Sequence, residues 1–134
     1  MKIYLITSNP IISGAMEKEL KKLGDLVVIN AQKMTTEEVL AKAGDAEIMI
    51  AGSSGIQEIS KEMLQGLKRL KMIAPLTVGV AWVDVEAARE LRIRVCNIKG
   101  ANAESVAEHA WGMILDLAKR ITEFDRDLRN QGAF

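Results

Sequence analysis

The chain has 134 residues, of which 49% are apolar and 4% aromatic, and its 18 lysines and arginines balance 18 acidic residues. A chain of this length can bury a hydrophobic core without the help of disulfides or metal ions. Its single cysteine excludes an internal disulfide, and with its single histidine it excludes a His/Cys metal cluster. Zero net charge without a basic block argues against nucleic-acid binding. With no membrane-length apolar run and no signal-peptide pattern, the composition predicts a cytoplasmic protein.

Short apolar runs alternate with amphipathic stretches along the whole sequence. The β-rich runs are residues 3–6, 26–29, 46–51, 72–76 and 95–98. Strands that alternate with helices are typical of a parallel α/β sheet, in which right-handed crossovers bring every strand-to-helix loop to one edge. We therefore expect a flavodoxin-like, doubly wound parallel sheet of five strands, with ligands outside the carboxyl ends of the strands.

Polar side chains at the starts of the amphipathic stretches predict where the helices begin. Asn9 and Pro10 suit the N-cap and first position of a helix that ends at Gly24. Thr35 and Glu38 have the spacing of a capping box. The other expected helices are residues 36–43, 61–67 and 85–91, the last two capped by Ser60 and Asp84.

The last segment, from Glu104 to about Asn130, has the pattern of one long helix. Its first half is apolar on two faces, which is more than one small sheet can cover. We expect this helix to pack also on a partner chain or a further domain, and burial in a single core is the alternative. The two apolar rows are Val106, Ala110, Met113, Leu117, Ile121, Phe124 and Leu128, and Ala107, Trp111, Leu115 and Ala118.

Three chemistries that use such a sheet lack their residues in this sequence. A phospho-acceptor domain needs an acidic cluster after the first strand and an Asp after the third, where this chain has Ser8, Asn9, Ser53 and Ser54. A flavin domain needs a phosphate-binding loop after the first strand, and that segment has no such loop. The ten glycines never have the Gly-x-Gly-x-x-Gly spacing of a dinucleotide-binding turn.

Small residues follow the third, fourth and fifth expected strands, at segments 52–55, 77–80 and 100–102. Free N–H groups at such turns form an anion-binding concavity, and Asn102 adds a side-chain amide. These loops favour a small carboxylate as the ligand. The alternative is that Gly52, Gly55 and Gly79 only permit tight turns, and that Asn102 only caps its helix.

Two motifs carry a resemblance to a known family. Residues 78–84 read VGVAWVD, and residues 100–109 read GANAESVAEH. In these motifs and in their separation the chain resembles the NAD(P)-dependent D-2-hydroxyacid dehydrogenases, which include formate, glycerate and phosphoglycerate dehydrogenases. The family pattern is roughly G-V-G-x-D-x-I-D, followed by G-A-N-A-x-S-V-A-E. Ala81 and Trp82 depart from it, at positions that are usually polar and usually Asn or His.

The resemblance implies a division of the chain into two parts. Residues 1–101 correspond to a flavodoxin-like substrate domain, and residues 102–134 to a long crossover and dimerisation helix, after which the cofactor domain of the family would begin. Ser54 falls at the start of the substrate loop, where phosphoglycerate-type members carry an arginine. Serine cannot form the two-bond clamp of an arginine on phosphate, which argues against a phosphorylated substrate.

The resemblance also implies roles for individual residues. Val78 and Gly79 match the turn whose N–H groups hold the substrate carboxylate, and Val80 lies beside it. Asn102 matches an amide near the substrate and the nicotinamide. Val106 matches an apolar wall beside the nicotinamide ring.

The function implied for the parent protein is hydride transfer between NAD or NADP and a small D-2-hydroxy or 2-oxo acid. The catalytic Arg, Glu and His of the family lie in its later part, and His109 does not correspond to that histidine, so we expect no catalytic residue in this sequence. We expect the chain alone to bind no cofactor and to be inactive. The alternative is a non-enzymatic flavodoxin-like module that forms a homodimer, or binds another protein, through the helix around Ala107, Trp111 and Leu115.

Overall fold

The computed structural model describes residues 1–8 and 12–131, in which five parallel strands alternate with helices. The strands are β1 (Lys2–Thr7), β2 (Asp25–Asn30), β3 (Ile48–Ala51), β4 (Met72–Pro75) and β5 (Arg94–Val95). The helices are α1 (Gly14–Leu23), α2 (Thr36–Ala43), α3 (Lys61–Gly66), α4 (Val85–Glu90), α5 (Ala103–Lys119) and α6 (Ile121–Gln131). The strand order β2-β1-β3-β4-β5 is that of flavodoxin-like doubly wound sheets, which confirms the expected α/β fold.

The strand register builds the main core on one face of the sheet. Tyr4, Met49 and Ile73 are partners across β1, β3 and β4, so they point to the same face, and all three are buried. Right-handed crossovers place α2, α3 and α4 on one face of the sheet and α1 on the other. The face changes because β2 is added on one side of β1, whereas β3, β4 and β5 are added on the other side. The buried residues that these three helices contribute are Val39, Ala43, Met63, Leu64, Ala87 and Ala88.

Three of the predicted helix caps are confirmed. The Thr35 hydroxyl accepts from the N–H of Glu38, whose carboxylate accepts in turn from the N–H of Thr35, which completes the capping box. Ser60 and Asp84 accept hydrogen bonds from N–H groups in the first turns of α3 and α4. Each cap satisfies a donor that a helix start leaves unpaired, so these local signals fix the helix starts.

The predicted start of the first helix is wrong. The helix α1 begins at Gly14, and the hydroxyl of Ser13 caps it by accepting from the N–H of Met16 at 3.2 Å. Serine is as good an N-cap as asparagine, which explains why the helix can begin after Ser13. Asn9 and Pro10 lie outside the described residues.

The fifth strand is shorter than the predicted residues 95–98, and Pro75 explains why. Leu76 donates its N–H to Ala51 on β3, while Ile73 accepts from the N–H of Cys96, just past β5, so Pro75 faces the β5 side as Ile73 does. Proline has no N–H to donate, and the ladder between β4 and β5 therefore ends there. Pro75 itself is fully buried.

The C-terminal segment is two helices rather than one continuous helix. Arg120 adopts a left-handed conformation with φ 53°, which ends α5, and α6 begins at the next residue. The Asp116 carboxylate accepts from both the N–H and the hydroxyl of Thr122, at 2.7 and 2.9 Å, which supplies the new helix with a cap. The described residues fall into two compact units, one within Met1–Lys99 and one that begins at Gly100.

A charged cluster joins the start of β1 to the turn before β3. The Asp45 carboxylate accepts hydrogen bonds from the Lys2 ammonium and from the Tyr4 hydroxyl, the latter at 2.8 Å. The hydrogen bond from Lys2, followed by that from Tyr4, lowers the pKa of the Asp45 carboxyl below its ordinary value. The ionised carboxylate is therefore the form that the folded chain favours.

This lowered pKa predicts how stability depends on pH. A carboxyl that titrates lower in the folded than in the unfolded chain stabilises the fold above its unfolded pKa, about 3.9, and loses that contribution as the pH falls. We expect the free energy of unfolding, measured by urea titration, to fall below about pH 4 less steeply in Asp45→Asn than in the unchanged chain. Glu58→Gln removes a carboxylate that makes no ion pair among the described residues, and serves as the control. Equal slopes for Asp45→Asn and the unchanged chain would contradict the prediction.

Candidate functional site

The loop after β3 is tied to the end of β1. Gly52 donates its N–H to the carbonyl of Ile6, and the hydroxyls of Thr7 and Ser54 lie 3.2 Å apart. Ser54 is exposed, so its hydroxyl is accessible at this edge of the sheet. The structure therefore places Ser54 at the carboxyl ends of two neighbouring strands, where α/β sheets bind ligands.

Gly55 is required by the packing of this loop against β1. A Cβ atom at this position would lie 2.5 Å from the Cα of Thr7 and 2.7 Å from its N atom. Both are backbone atoms of a paired strand and have little freedom to move. The tight-turn interpretation of Gly55 is therefore sufficient, and no ligand is needed to explain this glycine.

Lys33 brings a positive charge to the same loop. Its Nζ atom donates to the carbonyl of Ser53 at 2.9 Å, and its N–H donates to the carbonyl of Ser54 at 3.0 Å. Lys33 has a φ of 50°, a left-handed conformation that is uncommon for residues other than glycine and asparagine. Among the described residues no carboxylate forms an ion pair with it.

In the loop after β4, three consecutive carbonyl groups accept hydrogen bonds from within the first unit. The carbonyl of Val78 accepts from the side-chain amide of Asn97 at 2.6 Å. The carbonyl of Gly79 accepts from the hydroxyl of Thr77 at 2.7 Å, and that of Val80 accepts from the N–H of Val83 at 2.9 Å. These contacts fix the orientation of three successive peptide groups.

The N–H groups of the same loop are open. Those of Val78, Gly79 and Val80 donate to no acceptor within the part of the chain that the structure describes. A trans peptide directs its N–H away from its C=O, so the anchored carbonyls of Val78 and Gly79 hold the next N–H groups on the opposite side. A fixed set of unpaired backbone donors is suited to an anionic oxygen.

Gly79 is not required by the packing of the described residues. Its φ lies outside the left-handed range that favours glycine, and a Cβ atom there would meet nothing within 4 Å. The tight-turn interpretation therefore does not account for Gly79 as it does for Gly55. Open space beside unpaired N–H groups would let a ligand approach the backbone closely.

Asn102 and Val106 lie in the second unit. Asn102 is the N-cap residue of α5, but its side chain makes no capping hydrogen bond. The interpretation that Asn102 only caps its helix therefore fails, and its exposed amide remains available. Val106, one turn further along α5, is 58% exposed.

Sequence reasoning missed residues that shape the β4 loop. Asn97 was expected to lie inside a strand, yet its side chain anchors the loop. Trp82 was noted only as a departure from the family pattern, yet its indole N–H donates to the Thr77 hydroxyl at 3.2 Å. The available signal was positional, since polar side chains just beyond the ends of parallel strands meet at one edge.

Two kinds of feature are absent from the described residues. Among residues 1–8 and 12–131, no group of three or more His, Cys, Asp or Glu side chains is placed to hold a metal ion. In the same residues, no helix combines the length and the apolar character that crossing a bilayer requires.

Comparison with curated proteins finds a relative of known activity. The chain is 32% identical over 127 residues to the D-3-phosphoglycerate dehydrogenase of Methanocaldococcus jannaschii, a match that covers 95% of this chain and 23% of the relative. The chain thus spans about a quarter of the length of the curated relatives that it matches.

Solved structures share the fold. An acyclic imino acid reductase (Bsp5) in complex with NADPH and D-Arg superposes with a TM-score of 0.84 at 24% identity, over 98% of this chain and 41% of that one, a similarity that concerns the fold alone. The D-lactate dehydrogenase of Aquifex aeolicus, complexed with NAD and lactic acid, has a TM-score of 0.74 at 25% identity, over 98% of this chain and 38% of that one. Residues 5–125 match the model of the D-isomer specific 2-hydroxyacid dehydrogenase catalytic domain, and the chain belongs to that family.

Proposed function

We propose that this chain supplies the substrate-binding half of an NAD(P)-dependent D-2-hydroxyacid dehydrogenase. The observation that carries the proposal is the β4 loop, where anchored carbonyls hold the N–H groups of Gly79 and Val80 open beside free space. Family membership gives these donors a ligand, namely the carboxylate of a small 2-hydroxy or 2-oxo acid. Fixed donors accelerate a reaction by holding the substrate in a reactive geometry.

In this proposal the two units of the chain have different tasks. The unit within Met1–Lys99 is the substrate domain, and the helical unit that begins at Gly100 is the crossover element. The catalytic Arg, Glu and His of the family match no residue here, so this chain orients the acid but moves no proton. The chain alone is accordingly inactive.

The residues of this chain fit only the nicotinamide end of a cofactor. Nicotinamide supplies the hydride chemistry when it is bound. Asn102, with its amide unused in capping, would contact the nicotinamide, and Val106 would cover the ring with an apolar side chain. The sequence has no Gly-x-Gly-x-x-Gly turn for the pyrophosphate, so the chain alone does not bind NAD or NADP.

The β3 loop favours a small unphosphorylated acid. Ser54 offers a hydroxyl where a two-bond arginine clamp for phosphate would stand. The Lys33 ammonium already donates to the Ser53 carbonyl and acts only as a point charge. D-Lactate therefore serves as the test ligand.

The proposal is tested by titrating the ¹⁵N-labelled chain with D-lactate and, as a control, with lactamide, which lacks the carboxylate. We expect D-lactate to bind with a dissociation constant in the millimolar range, which corresponds to a binding free energy of about −4 kcal/mol. D-Lactate should therefore shift the amide resonances of Gly79 and Val80, and lactamide should leave them in place. NADH oxidation with pyruvate, measured on the same sample, is expected to be absent. If D-lactate leaves the resonances of Gly79 and Val80 unshifted, the proposed carboxylate site is contradicted. If the isolated chain oxidises NADH, its proposed inactivity is contradicted.

A second candidate function is a protein-interaction module, and the surface of α5 favours it. Trp111 is 63% exposed and Leu117 is 80% exposed, although they lie in different rows of the helix. Proteins seldom leave an apolar patch of several hundred Å² in water. We propose that α5 forms a homodimer through the row of Ala107, Trp111 and Leu115, a role that is compatible with the first proposal.

A further inference from the structure

Trp82 stands at the head of a chain of hydrogen bonds that ends in the proposed carboxylate site. Its indole N–H donates to the Thr77 hydroxyl at 3.2 Å, and that hydroxyl donates to the carbonyl of Gly79 at 2.7 Å. The Gly79 carbonyl belongs to the same peptide group as the N–H of Val80. The C=O of this peptide group therefore accepts the last hydrogen bond of the relay from Trp82 through Thr77, and its N–H is an unpaired donor among the described residues.

The start of the relay is held rigidly. The Trp82 ring is half-buried and packs against the hydrophobic core. The backbone that follows the ring is fixed as well, because the carbonyl of Trp82 accepts from the N–H of Ile59 at 2.8 Å, and the N–H of Asp84 donates to the carbonyl of Ile59 at 2.9 Å. A fixed donor orients the Thr77 hydroxyl, which can otherwise rotate.

We propose that Trp82 is a positioning residue for substrate, acting through Thr77 to orient and polarise the Gly79–Val80 peptide. This inference rests on the proposed function, because it assumes that the Val80 N–H meets a carboxylate. A hydrogen bond to a peptide carbonyl strengthens the N–H of the same group as a donor, as in other cooperative chains. Position 82 is usually Asn or His in the family pattern, so this positioning role belongs to a residue in which the chain departs from its family.

The relay is separable from the folding of the loop. The carbonyl of Val78 is anchored independently by Asn97, and that of Val80 by the N–H of Val83. Phenylalanine at position 82 would retain an aromatic ring against the core and remove only the N–H donor. The loop is therefore expected to keep its path in Trp82→Phe while the Val80 N–H becomes a weaker donor.

The test measures D-lactate affinity from the amide shifts of Gly79 and Val80 in a set of variants. Trp82→Phe and Thr77→Val are each expected to weaken binding about three- to tenfold, the effect of one net hydrogen bond. Thr77→Ser restores the hydroxyl and is expected to recover affinity relative to Thr77→Val. Since the two groups act in series, the double variant should bind no more weakly than Thr77→Val alone.

A second readout does not depend on ligand. In the free chain, Thr77→Val is expected to shift the carbonyl carbon of Gly79 and the amide nitrogen of Val80, whereas Thr36→Val, a matched change in the first turn of α2, leaves both in place. If D-lactate leaves the unchanged chain unaffected, the proposed function fails. If D-lactate binds but the variants bind equally well, or the losses simply add in the double variant, the relay is overturned.

Discussion

Gly55→Ala is expected to destabilise the chain by about 3 kcal/mol, the upper range for overpacking a tight site. The added Cβ would lie 2.5 Å from the Cα of Thr7 and 2.8 Å from the carbonyl oxygen of Ile6, so β1 or the β3 loop must shift. A loss of this size is a large fraction of the 5–15 kcal/mol, roughly, that stabilises a typical domain. Urea unfolding followed by circular dichroism measures it.

Gly79→Ala is the matched control, because it makes the same chemical change where the described residues leave space. Its free energy of unfolding is expected to stay within about 1 kcal/mol of that of the unchanged chain, since alanine can adopt the backbone conformation at this position. Its affinity for D-lactate is expected to fall about tenfold, because the methyl group occupies space beside the carboxylate donors.

The two glycine variants together separate a folding role from a binding role. Equal losses of stability at Gly55 and Gly79 would mean that both glycines serve the fold alone. A stable Gly79→Ala chain with unchanged D-lactate affinity would show that the open space beside Gly79 is not the ligand site. Either result would remove the main support for placing the carboxylate at this loop.

Trp111→Glu is expected to convert a dimer of the chain into a monomer. The prediction follows from the second proposed function, in which the row of Ala107, Trp111 and Leu115 on α5 forms the interface. Trp111 is 63% exposed in the single chain, and a central interface tryptophan commonly contributes about 2 kcal/mol or more, equivalent to about 30-fold in the dimer dissociation constant. Sedimentation velocity at several concentrations measures the change.

The control for this experiment is His109→Glu, which introduces the same charge at an exposed position of the same helix, about 160° around the axis from Trp111. It is expected to leave the dimer intact. An unchanged sedimentation profile for Trp111→Glu would refute this interface. A monomeric unchanged chain would mean that the apolar surface of α5 is covered by something other than a second copy.

Much of the fold could be predicted because its signals are local. The capping box at Thr35 and Glu38 and the caps at Ser60 and Asp84 each depend on residues three positions apart, and all three are present. The alternation of strands and helices, together with the handedness of crossovers, restricts the sheet to few topologies. The parallel, doubly wound sheet followed from these rules, whereas the strand order β2-β1-β3-β4-β5 is given by the structure.

The features that were not predicted depend on hydrogen bonds between residues that are separated in the sequence, or on the geometry of a side chain. The break after α5 requires the Asp116 carboxylate to compete for the N–H of Thr122, which a helical periodicity does not reveal. The anchor from Asn97 to Val78 joins residues 19 positions apart. The roles of Ser54, Val78, Gly79, Val80, Asn102 and Val106 remain predictions, because the structure gives their placement and not their ligand.

Pro75 has a consequence for the polar groups buried in the sheet. The ladder between β4 and β5 ends beside this residue, and Pro75 is fully buried, so an ordinary residue here would direct an N–H into the protein where the ladder no longer supplies an acceptor. A buried donor without a partner costs roughly 1–3 kcal/mol. Because proline has no N–H, the fifth strand can end early without leaving such a donor behind.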